Sequence, residues 1–202
     1  MDTLARKLCL AAVLALASFT PSAFADSTVY VNGSYAFANN GYGIPPYGGT
    51  LNGQPAEFFC VDFTHDISGG DSWQAVVTPV TPGGNYSSTY LQNADTYLEF
   101  AYILTEMTQT TNQTTQAEDQ WAIWSVTDGG YDPYSDGASI LAAAQAAVED
   151  GFNGAGWEVL TPDVGQYGQE FMIYTPEPAS WILLALGLGS LVWLKRRQLS
   201  PN

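Results

Sequence analysis

An α+β fold is predicted by three observations: β-rich runs fill the front of the chain, three helix-patterned stretches follow, and strand character returns before residue 175. The chain has 202 residues. Residues 26–175, between a signal-like start and an apolar tail, have the size of one ordinary domain and show no internal repeat. Their apolar and aromatic content is high enough for a packed core, which excludes a disordered acidic chain.

Taken in order, 28–37 alternates loosely and reads as a first strand. Residues 39–54, rich in Gly, Asn, Tyr and Pro, read as a long loop. Residues 57–64 and 73–80 are β-rich runs joined by Ser68-Gly69-Gly70-Asp71 as a hairpin or loop connection. In 88–107, Leu91, Leu98 and Tyr102 recur at helical spacing with Ala94, Ala101 and Leu104 beside them, which predicts a helix. The tract 108–114 is too polar to pack. Thr115-Gln116-Ala117-Glu118 has the capping-box form and should start a second helix running to about Thr127. A third helix is predicted over 139–149, preceded by Asp136 as a cap and ended by Gly151. Strands close the domain at 157–160 and 170–174.

Charge narrows the function classes. All five basic residues lie in the terminal segments, and 18 of the 20 acids lie within 26–175, so that stretch has no Lys or Arg. A surface of that sign repels phosphate backbones, which excludes nucleic acid and argues against anionic lipid and phosphate ligands.

Both ends carry an address. Arg6 and Lys7 precede an apolar run over 8–19, and Ala23-Phe24-Ala25 supplies a small-residue cleavage pattern, so 1–25 reads as a secretory signal peptide. At the other end Pro176-Glu177-Pro178 leads into the uncharged stretch 179–194 and then Lys195-Arg196-Arg197. The apolar stretch is a short membrane span, and the basic cluster favours a cytoplasmic end with the domain outside. These three parts in this order resemble the PEP-CTERM sorting signal of Gram-negative bacteria. The resemblance implies an exosortase as processing partner and an association with exopolysaccharide. It also implies export to the outer surface or matrix after initial anchoring in the inner membrane by the C-terminal helix.

Removing Cys9 with the signal leaves Cys60 as the sole cysteine of an exported domain, so no intrachain disulfide forms. Cys60 is then buried and inert, paired with another chain, a nucleophile, or capped by a bond to another side chain. Alternation places Phe59, Val61 and Phe63 on one strand face and Phe58, Cys60 and Asp62 on the other, away from the main apolar face. On the second helix Gln120 shares a stripe with Ala117, Ile123 and Trp124, where a buried carboxamide needs a partner. A thioester between Cys60 and Gln120 would account for both residues, with Phe58, Phe59, Trp121 and Trp124 as candidates to exclude water. A domain without Lys does not consume such an electrophile on its own side-chain amines.

Phe59-Cys60-Val61-Asp62 and Asp119-Gln120-Trp121-Ala122-Ile123-Trp124 resemble the two elements of the thioester domains of Gram-positive surface adhesins, in the same order. Asp119 stands where that motif usually has Thr. The resemblance implies that Cys60 is the thiol, Gln120 the acyl donor, and the partner an amine-bearing group on a host, matrix or cell surface.

Other candidates have plainer readings. A cysteine hydrolase requires a histidine, and the only one, His65, lies five residues along, an offset that sends the two side chains to opposite strand faces. Asp128, Asp132 and Asp136 space three carboxylates in a Gly-rich loop, a calcium-like pattern that is more often turn chemistry. The expectation is thus an exported attachment protein, not a turnover enzyme, with no cofactor and no metal. The alternative is a non-catalytic matrix or carbohydrate-binding module in which Cys60 is a buried free thiol and Tyr and Trp rings stack on polysaccharide.

Overall fold

The computed structural model describes residues 27–175. The expected signal peptide (1–25), sorting motif (Pro176, Glu177, Pro178), span (179–194) and basic cluster (Lys195, Arg196, Arg197) lie outside the described residues, among which no helix is long and apolar enough to cross a membrane.

The fold is mixed helix and strand, with three helices and a closed six-stranded antiparallel barrel. The order of elements is β1 (Ser27–Val31), β2 (Phe37–Asn39), β3 (Tyr42–Ile44), β4 (Tyr47–Leu51), β5 (Gln54–Cys60), β6 (Ser72–Pro79), α1 (Ala94–Gln109), α2 (Gln113–Thr127), α3 (Gly137–Glu149), β7 (Trp157–Pro162) and β8 (Phe171–Tyr174). Around the barrel the strands run β1-β4-β5-β8-β7-β6, while β2 and β3 form a separate hairpin.

Period-two alternation divides the side chains into two cores. Val29, Val31, Phe58, Cys60, Trp73, Leu160, Phe171 and Ile173 form the first, together with Ala117, Trp121 and Trp124 of α2. Phe59, Val61, Val159 and Met172, alternating with them, join a second core built on Leu98, Ile103, Leu104 and Met107 of α1. Each fully buried side chain of this size contributes about 1.5–3 kcal/mol, so both faces of the β5–β8–β7 wall hold the helices in place. The burial of β1 alternates strictly between buried and exposed.

Several expected boundaries move. The first strand stops at Val31. The segment 39–54, read as a loop, contains the end of β2 and all of β3 and β4, because Asn40-Gly41 and Asn52-Gly53, all at positive φ, turn the chain tightly between short strands. The residues 68–71 make a loop and not a hairpin, since β6 pairs with β1 and β7. α1 begins at Ala94, where the Asn93 side chain accepts from Asp95 N and Thr96 N. α2 begins at Gln113 behind Asn112, whose side chain accepts from Thr114 N, so the expected Thr115–Glu118 box falls inside the helix. The polar tract 108–114 therefore supplies the end of α1 and the start of α2. Asp136 stands at the cap position of α3 but makes no side-chain cap bond.

Candidate functional site

β5 delivers Cys60 to the barrel interior at its last residue, and α2 closes over that point. Cys60 is fully buried. The expectation that it points away from the main apolar face is corrected in one respect: its side of the strand is an apolar core as well. Gln120, sixty residues later and also fully buried, donates from Nε2 to the Cys60 carbonyl at 2.8 Å. One turn on, Trp124 donates its indole N–H to Cys60 Sγ at 3.2 Å. The i,i+4 spacing puts amide and indole on one helix face, so one residue grips the backbone of Cys60 and the other its sulfur. Phe63 N also donates to Thr127 Oγ1 at 3.2 Å, fixing the chain beyond Cys60 to the end of α2.

Two features of this pair are unusual. The thiol donates to the Asp62 carbonyl at 3.2 Å, and burial pushes its pKa up to about 12, with the carboxylates of Asp62 and Glu170 adding and the Trp124 N–H opposing. Gln120 Oε1 is buried without a hydrogen-bond partner. An amide oxygen left so costs about 1–3 kcal/mol. A thioester oxygen, a weaker acceptor, loses less by the same isolation.

The surroundings are aromatic. Trp121, Trp124, Phe63 and Tyr42 pack edge to face or tilted, with centroid separations from 5.0 Å for Tyr42–Phe63 to 6.0 Å for Tyr42–Trp124. Tyr42 is brought by the β2–β3 hairpin, and Asn39 on the same hairpin accepts from Trp121 Nε1 at 3.1 Å and donates to the Tyr134 hydroxyl at 2.8 Å. Of the side chains expected to shield the pair, Phe58, Trp121 and Trp124 belong to the core that holds Cys60, while Phe59 faces the helical core. The hairpin's part was missed because its residues read as loop. The Asn-Gly turn is the signal that would have found it.

No family model, curated protein or solved structure matches the chain.

The remaining candidates resolve geometrically. His65 pairs through Nδ1 with Asp62 Oδ2 at 2.7 Å and lies against Tyr90, and it is not among the hydrogen-bond partners of the Cys60 sulfur, so no Cys–His dyad forms. Asp128 Oδ1 accepts from Gly130 N and Tyr131 N, and Asp132 Oδ1 from Tyr134 N, which is turn chemistry. Among the described residues no group of three His, Cys, Asp or Glu side chains that could hold a metal ion is gathered. Asp119 is buried, its Oδ2 is unpartnered, and burial followed by the nearby Glu118, Asp136 and Glu106 raises its pKa to about 7. The charges that act on Asp119 come from α2 itself (Glu118), the start of α3 (Asp136) and α1 (Glu106).

Proposed function

We propose that this is an exported surface or matrix protein, sorted by its PEP-CTERM-like tail, that attaches covalently to amine-bearing partners through a thioester between Cys60 and Gln120. The observation that carries the reading is the Gln120 carboxamide held on the Cys60 backbone carbonyl at 2.8 Å with its own oxygen unpartnered.

The chemistry balances within the pair. The Cys60 sulfur forms a bond to the Gln120 carboxamide carbon, the C–N bond breaks, and the thiol proton leaves with the nitrogen as ammonia. Burial disfavours a free thiolate, so proton and sulfur must move together or in close succession, and the Trp124 N–H offsets the charge that develops on sulfur. An incoming primary amine then forms a C–N bond to the same carbon, the C–S bond breaks, and one amine proton returns to Cys60 as the thiol. One partner is captured for each domain, with no turnover.

The test is a labelled diamine. Incubation of the purified protein with biotin-cadaverine should give an adduct that survives denaturation, lost in Cys60→Ala and Gln120→Ala. An adduct of equal yield in both variants would contradict the reading.

A further inference from the structure

We infer that the cavity beside Trp124 is an ammonium cage that brings a primary alkylamine to the Gln120 acyl carbon, an inference that rests on the thioester reading above. The cavity holds about 490 Å³ and lies between the β2–β3 hairpin and the segments around residues 33–35 and 66–69. Five aromatic rings line it, those of Tyr35, Tyr42, Tyr47, Phe63 and Trp124, with the exposed carboxylate of Asp66. Tyr35 and Tyr42 are about half exposed, at 50% and 43%, so the cavity is open to solvent on their side. Tyr35 reaches its position because Gly43 has no side chain: a Cβ there would come within 2.8 Å of the Tyr35 ring.

Its inner wall reaches Cys60. Trp124 lines the cavity and donates to the Cys60 sulfur. Gln169 lines it too and donates to the Asp62 carbonyl, the group that accepts the Cys60 thiol. Tyr47 stands opposite Phe58 on the neighbouring strand, two residues before Cys60. The cavity is therefore one side chain from the sulfur.

Its chemistry selects a cation. Aromatic faces attract ammonium groups through their quadrupoles, and desolvation strengthens that attraction. No lysine or arginine is present anywhere in 26–175 to compete, and the acidic domain raises the local concentration of cations. Bound as R–NH3+, the amine releases one proton to water at the mouth and attacks as R–NH2. Its second proton ends on Cys60 sulfur as the C–N bond forms and the C–S bond breaks.

The experiment follows adduct formation on the full-length protein by intact mass, with cadaverine, with hydroxylamine as a nucleophile largely uncharged at neutral pH, and with tetramethylammonium as an unreactive cation. The cadaverine rate should saturate with concentration and fall when tetramethylammonium is added, while the hydroxylamine rate rises linearly and is not competed. Tyr35→Leu and, independently, the exposed Asp66→Asn should each lower the cadaverine rate at low concentration, Tyr35→Leu by about tenfold, and leave hydroxylamine unchanged. A linear cadaverine rate indifferent to tetramethylammonium, or equal losses for both nucleophiles, would overturn the cage with the thioester intact. If neither amine adds and the mass shows no lost ammonia, the thioester reading falls by itself. Saturable quenching of tryptophan fluorescence by tetramethylammonium then still supports the cage, and its absence overturns it.

Discussion

Glu170 and Gln120 are two buried polar side chains flanking the same strand end, and they are treated oppositely. The Glu170 carboxyl accepts from the Tyr97 hydroxyl at 2.5 Å, the Thr161 hydroxyl at 2.6 Å and Tyr90 N at 3.0 Å. It ties α1 and the connection before it to β7 of the barrel. Gln120 donates one bond and leaves its oxygen bare. A polar group with every valence met is a fastener. One left half satisfied on the backbone of Cys60 is the candidate site, and the cost of that isolation is what the proposed bond lowers.

The largest effect separating the two belongs to Glu170. Glu170→Ala leaves three donors without an acceptor and should destabilise the fold by at least about 3 kcal/mol in urea unfolding, at about 1–3 kcal/mol per orphaned group. Glu170→Gln, which keeps an acceptor, should lose much less. A loss below about 1 kcal/mol for the alanine variant would remove the distinction between fastener and site.

Next is the hairpin over the sulfur. Asn39→Ala deprives Trp121 Nε1 and the Tyr134 hydroxyl of their partner, and should cost about 1–2 kcal/mol. Its sharper readout is the lifetime of the acyl bond. Water should add to the Asn39→Ala protein faster than to wild type, seen as conversion to the hydrolysed mass with time, and equal lifetimes would show that the hairpin is not the water barrier.

A smaller effect should appear in the pH profile. Asp119 has a folded pKa raised from 3.8 to about 7, so the folded state keeps a proton that the unfolded chain gives up. Stability is then full below about pH 4 and falls as the pH rises towards 7. Asp119→Asn should flatten the fall of the melting temperature across that window and leave a residual slope of the same sign from Glu170, which burial also raises. A profile identical to wild type would place the Asp119 carboxyl in water.

Much of this was legible in the chain because the signals were local and periodic. The i, i+4 stripe set Gln120 and Trp124 on one face, and alternation set Cys60 beside Phe58. Strands β2 to β4 were hidden because β2 and β3 are three residues long and β4 has glycine at two of its five positions, too little to show alternation, although their Asn-Gly turns were in plain sight. The wall that carries Cys60 is apolar on both faces, so no pattern within β5 distinguishes the barrel side from the helix side. The Glu170 fastener joins Tyr90, Tyr97 and Thr161 from three segments, and nothing short of the tertiary fold assembles it.

The most direct measurement is the intact mass of the purified protein. Wild type should weigh one ammonia less than its sequence requires, and Cys60→Ala and Gln120→Ala should each weigh what theirs requires. A wild-type chain at full mass, with a thiol that labels only after unfolding, would contradict the thioester and leave Cys60 as core packing.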